Sequence, residues 1–217
     1  MKPKLRLWLP LAFLCMRLRV GLVEVEQKFK VPSDLAQQVA ALNGRSLGAR
    51  SFRDEYWDNE AWRLCTQDCW LRRRDGAFEL KRPASGGSER RRSGGETAEF
   101  QEITEEAELV AALKELGALD SAVGVGERLP PALRSAGLAP FAAFGTRRAS
   151  YQLGRVQLDV DEADFGHGVM EIEVICDGSP SALALARQDI GEAAGLLGAE
   201  PLEASRGGKL ETYIRRW

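Results

Sequence analysis

The chain has 217 residues, with 30 lysines and arginines against 32 acidic residues and a formal net charge of −2. A balance so near zero argues against a general nucleic-acid or membrane binder but leaves room for local separation of charge, and the length suits one large β-rich domain. The single histidine, His167, argues against a His-rich metal site or a Ser-His hydrolase.

Lys2, Lys4 and Arg6 precede an apolar run over 7–15. The run is too short to span a bilayer as a helix, and no small-x-small cleavage site follows it. It has the outline of a weak secretory or organelle presequence, but translation from Met16 is the plainer reading. Residues 1–20 are therefore expected to be a leader outside the fold, and 21–217 a single domain. The four cysteines, Cys15, Cys65, Cys69 and Cys176, form neither a C-x-x-C pair nor a zinc pattern. They read as free thiols in a reducing, cytoplasmic compartment.

Leu22–Phe29 alternates with period two, so Glu24, Glu26 and Lys28 share one strand face while Val23, Val25 and Phe29 share the other. A helix follows from Ser33 or Asp34, with Leu35, Val39 and Leu42 on one face and Asn43-Gly44 at its end. Residues 50–58 read as a strand. Asp75-Gly76 between two alternating runs predicts a tight hairpin over 70–81. It pairs Trp70 with Lys81, Arg72 with Glu79 and Arg74 with Ala77, all on one face. Residues 83–98 are rich in Gly, Ser and Arg and read as a loop. Its Arg90-Arg91-Arg92 run has no aromatic platform beside it, and no nucleic-acid partner is expected.

Phe100–Ile103 is a further strand carrying Glu102, and Thr104-Glu105-Glu106 opens a helix with Leu109, Val110, Leu113 and Leu116. Pro130-Pro131 starts a shorter helix. A second hairpin spans Gly145–Asp161 with its turn at Gly154-Arg155, placing Ser150 opposite Asp159 and Arg148 opposite Asp161. Val169–Ile175 alternates again, with Glu171 and Glu173 on the polar face. Ser179-Pro180 begins a long helix towards Leu197-Gly198, and Lys209 lies in the last segment.

Several strands thus have one apolar face and one face of specific charges. Two arrangements stay open from periodicity: a sheet with a solvated, ion-paired outer face, or a closed antiparallel sheet with helices outside and the charges within. The second gathers Glu24, Glu26, Glu102, Asp159, Asp161, Glu171 and Glu173 with Lys28, Arg72, Arg74, Lys81 and Arg148. Burying so many charges without a ligand is costly. A polyanion held with a hard cation suits them, since carboxylates hold Mg2+ and arginines fork onto phosphate oxygens. No P-loop or other Gly-rich phosphate cradle is present.

Glu24-x-Glu26-x-Lys28 resembles the E-x-E-x-K signature of the triphosphate tunnel metalloenzymes, the CYTH superfamily. The later motifs follow in that family's order: Phe52–Asp58, Trp70–Arg74, Glu79–Lys81, Thr146–Arg148, Asp159–Gly166, Glu171–Glu173 and Lys209-Leu210. Together they look most like the thiamine triphosphatases. Only the leader is unmatched. The resemblance implies an α+β fold, an eight-stranded antiparallel β-barrel forming a triphosphate tunnel with helices packed outside. It implies Mg2+-dependent hydrolysis of thiamine triphosphate to the diphosphate and phosphate. The same tunnel acting on inorganic or nucleoside triphosphates, or a non-catalytic polyphosphate-binding module, are the alternatives.

Carried over by motif, Glu24, Glu26, Glu102, Asp159 and Glu173 become metal-side carboxylates. Lys28, Arg72, Arg74, Lys81, Arg148, Glu171 and Lys209 become substrate-binding residues. Trp70 is the candidate for stacking on the thiamine ring. Glu173 is one candidate for activating water, and Lys81 with lowered pKa beside Tyr56 is another. Gln27 and Asn59 depart from the family's usual residues without touching these roles, and Trp57 stands where the family often has another aromatic, a change expected to alter the tunnel mouth. A monomer is expected, since a closed sheet has no free edge.

Overall fold

The computed structural model describes residues 21–84, 96–124, 129–203 and 206–216. The expected leader, Cys15 and the Arg90–Arg92 run lie outside them. Eight strands form the frame: β1 (Val23–Phe29), β2 (Arg45–Asp58), β3 (Trp70–Arg74), β4 (Ala77–Pro83), β5 (Ala98–Ile103), β6 (Ala139–Leu153), β7 (Val156–Ala163) and β8 (His167–Cys176). Five helices accompany them: α1 (Leu35–Ala41), α2 (Glu106–Glu115), α3 (Leu129–Ser135), α4 (Pro180–Leu196) and α5 (Lys209–Arg216).

The strands close into a barrel in the order β1-β5-β4-β3-β2-β6-β7-β8, every pair antiparallel. Closure decides between the two arrangements left open by the sequence. Apolar faces point outward under helices, and the charged faces point in. Val23, Val25, Leu158, Ile172 and Val174 pack beneath Ala186, Ile190 and Ala193 of α4. On the opposite side Leu71, Leu80 and Ile103 pack beneath Leu109, Leu113 and Leu133 of α2 and α3. Burying a side chain of this size contributes about 1.5–3 kcal/mol, so two apolar shells offset the inward charges.

Both hairpins have the expected registers: Trp70 faces Lys81 and Arg72 faces Glu79, while Arg148 faces Asp161 and Ser150 faces Asp159. Asp75 and Gly76 take φ of 47° and 97°, the paired positive values of a two-residue hairpin turn. Other boundaries differ. β2 starts at Arg45 rather than Arg50, because it pairs along the long β6 strand. Its first seven residues are exposed, so no apolar alternation marks them. Asp34 stands at the cap position of α1, yet its side chain makes no capping bond. Its Oδ1 instead accepts a hydrogen bond from Gln38 Nε2 at 2.9 Å. Among the described residues no helix is long and apolar enough to cross a membrane.

Candidate active site

Alternation carries the inward side chains into one cavity of about 900 Å³. Every residue singled out above for catalysis, substrate or metal lines it: Glu24, Glu26, Lys28, Tyr56, Trp70, Arg72, Arg74, Lys81, Glu102, Arg148, Asp159, Glu171, Glu173 and Lys209. Asp161 is the exception within the wider lumen set. It is fully buried behind Arg148 and Lys209 rather than in the lining.

Strand order sorts the charges by sign. The half β4-β3-β2-β6 carries Lys81, Arg72, Arg74 and Arg148; the half β7-β8-β1-β5 carries Asp159, Glu171, Glu173, Glu24, Glu26 and Glu102. Lys28 on β1 and Glu79 on β4 stand against this sorting. α5 adds Lys209 from outside the sheet, after Gly207 turns the chain at φ 63°. A residue with a Cβ is strained there.

Carboxylates fix the guanidiniums of the basic half. Arg74 donates two bonds to Asp54, at 2.7 and 2.8 Å. Arg148 donates two to Asp161, at 2.6 and 2.7 Å, and others to Asp159 and Glu171. Arg72 donates to Glu79 at 2.7 Å and Glu102 at 3.2 Å. Burial pushes the Lys209 ammonium towards its neutral form and Arg148 adds to the push. The ammonium also rests directly on Asp161, an opposite charge that works against that push.

Carboxylates crowd one another on the acidic half, and their proton affinities split. Burial raises Glu26, but Lys28 and Lys81 outweigh it and hold the carboxyl well below its usual range. Burial also raises Glu171, again outweighed chiefly by Lys28. Burial raises Glu24, with Glu102 and Glu26 adding to it against the pull of Lys81. Burial raises Glu173 furthest into the protonated form, reinforced by Glu24 and Asp159. Carboxyls sharing a dry site separate in this way.

The reading of Lys81 as a lysine of lowered pKa beside Tyr56 is corrected by this arrangement. Burial does depress Lys81, but Glu24 and Glu26 more than reverse it and leave the ammonium well above its usual range. Its hydrogen bond goes to Glu26. Tyr56 lies level with Arg72 across β2 and β3, and burial raises its hydroxyl. Trp70 is half-buried, lines the cavity and packs partly on the Tyr56–Phe144 cluster.

Sequence reasoning passed over three residues. Asp54 anchors Arg74. Gln157 Nε2 donates to Asp159 at 3.2 Å and Glu173 at 3.1 Å. Arg50 lines the cavity. Period two was the available signal, since it puts Arg50 and Asp54 on the face of Tyr56 and Gln157 on the face of Asp159.

The model of the CYTH domain matches residues 22–206 of this chain. The chain belongs to the CYTH family. It is 31% identical to human thiamine-triphosphatase over 207 residues, covering 91% of this chain and 86% of that protein. It is 32% identical to the Macaca fascicularis enzyme of the same name over 208 residues, with the same shares covered. Solved structures share the CYTH-type fold at lower identity. The PH1819 protein of Pyrococcus horikoshii OT3 superposes with a TM-score of 0.57 at 18% identity, covering 89% of this chain and 99% of that one. HpAC1 from Hippeastrum, described as having a dominant triphosphatase activity, gives 0.50 at 18% identity, covering 90% and 96%.

Proposed function

We propose that this CYTH protein is a Mg2+-dependent triphosphatase whose substrate is thiamine triphosphate, cleaved to thiamine diphosphate and phosphate. The observation that carries the reading is the facing of a wall of fixed cations and a wall of crowded carboxylates across one closed tunnel, with Trp70 in its lining. The likeness to two thiamine-triphosphatases over most of the chain supports the organic half of the substrate.

Arg72, Arg74, Arg148, Lys81 and Lys209 hold the phosphate oxygens, with Lys28 joining them from the carboxylate side. Their donors are aimed before substrate arrives, which is where electrostatic stabilisation is most effective. Trp70 offers its ring face to the thiamine cation.

The acidic wall fits a hard cation. Its donors are all carboxylate oxygens, and Glu24 Oε2 is buried without a hydrogen bond. Lys81 Nζ stands 3.3 Å from that oxygen, an ion-pair distance without hydrogen-bond alignment. Among the described residues no three carboxylates stand at ligating distance from one point. Mg2+ commonly keeps its waters and takes one or two carboxylates plus phosphate oxygens. Glu24, Glu26, Glu102, Asp159 and Glu173 are the residues to hold it. Held there, the ion would supply Lewis-acid stabilisation of the charge that develops on the leaving diphosphate.

In its carboxylate form, which added positive charge in this wall would favour, Glu173 accepts a hydrogen bond and then the proton from the attacking water. Gln157 keeps it in place. Water attacks the terminal phosphorus, the bridging P–O bond breaks, and the electron pair leaves with the diphosphate.

The closed barrel, without a free strand edge among the described residues, supports a monomer. Cys65, Cys69 and Cys176 are free thiols, which supports a cytoplasmic setting. A second reading keeps the tunnel but takes inorganic triphosphate, and it is favoured by a lining dominated by charge. Phosphate release from thiamine triphosphate, ATP and inorganic tripolyphosphate, each with Mg2+ and with chelator, tests all of this. Preference for thiamine triphosphate, lost on chelation, is expected. Preference for tripolyphosphate removes the substrate assignment. Binding of all three without release removes the enzyme.

A further inference from the structure

Arg50 belongs to none of the roles above. It lies on the inner face of β2, beyond the reach of β3, whose last partner there is Asp54 opposite Arg74. Only β6 continues alongside, with Arg148 level with Arg50. The register Trp57–Leu71 puts Trp70 level with Asp58, eight residues along β2 from Arg50. At 3.3 Å per residue that is roughly 26 Å along the strand. Both residues line the same cavity, and the register sets them far apart along it.

Arg72, Arg74 and Arg148 each hold a carboxylate. Arg50 makes no ion pair among the described residues, and its side chain is exposed. Four cations surround one buried ring, Phe52. Arg74 stands 4.0 Å from the centroid, Arg50 5.2 Å, Arg148 5.6 Å and Lys209 5.9 Å. Arg50 thus extends the phosphate-binding cations outward by one step without a carboxylate to neutralise it. Partial burial, Arg148 and Arg74 disfavour its charge, and Asp159 and Glu79 only partly offset them.

We propose that Arg50 forms a separate phosphate subsite at the end of the tunnel remote from Trp70. The proposal rests on the tunnel binding its triphosphate among Arg72, Arg74, Arg148 and Lys209. A phosphate group reaches this subsite from one of two sources: as released orthophosphate on its way out, or as the fourth phosphoryl unit of a longer chain. A guanidinium suits either, because it forks onto two oxygens of a tetrahedral anion.

The test compares Arg50→Ala with Arg147→Ala, which removes the same charge from the exposed outer face of β6. Calorimetric titration of orthophosphate onto each full chain reads the subsite without turnover. Arg50→Ala is expected to weaken orthophosphate binding about ten-fold relative to Arg147→Ala, the value of one charge-assisted hydrogen bond. Equal affinities in the two variants overturn the proposal. The ratio of kcat/KM for tetrapolyphosphate to that for tripolyphosphate then separates the sources. A ratio that falls in Arg50→Ala assigns the subsite to the fourth phosphoryl unit, and one that holds assigns it to orthophosphate. A chain that binds orthophosphate through Arg50 but releases none from any triphosphate sinks the hydrolase and keeps the subsite. Turnover with equal affinities in both variants does the reverse.

Discussion

On the basic half of the barrel, guanidiniums are clamped by carboxylates of neighbouring strands; on the acidic half, carboxylates face carboxylates. Arg74 on Asp54 and Arg148 on Asp161 are two-pronged and buried. Such pairs add little net stability against their desolvation, but they fix direction. The acidic half is paired unevenly: Glu26, Asp159 and Glu171 accept from cations, but the carboxylates also crowd one another. Glu26 and Glu171 are held as anions, while Glu24 and Glu173 are driven towards neutrality within the same wall. One wall is finished before any ligand enters, and the other is completed by incoming positive charge. Preorganisation and readiness for a cation are separate properties, built here on separate strands.

The sharpest way to break this contrast is Glu26→Ala. Glu26 is 1% exposed and receives both Lys28 and Lys81. Its loss leaves two half-buried ammoniums without their main partner, each keeping a second carboxylate, at about 1–3 kcal/mol of stability. Mg2+-dependent phosphate release is expected to fall by about 100-fold or more. Thermal melts and phosphate assays together check this, and full activity with a lowered melting temperature would remove Glu26 from the metal side.

Arg72→Ala strikes the other wall. Loss of one aimed donor should lower kcat/KM about 100-fold, with a smaller drop in melting temperature than for Glu26→Ala. Trp70→Ala comes next. It should raise KM for thiamine triphosphate about thirty-fold, as a desolvated cation–π contact of roughly 2 kcal/mol predicts, and move tripolyphosphate far less. Equal effects on both substrates would return Trp70 to a packing role.

The smallest effect concerns the base of α5. His167 is buried against Phe165, their rings 7° from parallel. Burial lowers its pKa from about 6.5, and Arg206 and Arg216 add to this against a backbone bond at Gly207. The unfolded chain therefore binds the extra proton first as pH falls. Its contribution to stability is complete above about pH 6.5 and is lost as pH drops towards the folded pKa. Melts at pH 7.5 and 5.5 should show a smaller loss for His167→Gln than for the parent chain.

Much of the frame was legible because alternation and turn chemistry are local. Asp75-Gly76 and Gly154-Arg155 set both hairpin registers to the residue, and with them the faces of Arg72, Arg74, Arg148 and Asp159. Closure was not legible in the same way. It depends on β1 meeting both β5 and β8, contacts far apart in sequence, and periodicity reads identically in a flat sheet and a barrel. The family motifs supplied that step. The start of β2 was hidden because residues 45–51 are exposed and have no buried face to alternate. Lys81 was misread for a different reason: its pairing with Glu26 crosses from one half of the barrel to the other, and no spacing encodes it.

Placing β1 between β5 and β8 also sets an order on synthesis. The strand emerges with neither neighbour made, and its last partner follows about 150 residues later. At ribosomal rates of about 5–20 residues per second, the wait is roughly ten to thirty seconds. Over that time Val23, Val25 and Phe29 form an unpaired, β-prone edge of the kind that aggregates. Glu24, Glu26 and Lys28, interleaved with them, act as gatekeepers. The charges proposed to meet magnesium and phosphate in the finished tunnel would first protect the nascent strand from its own kind.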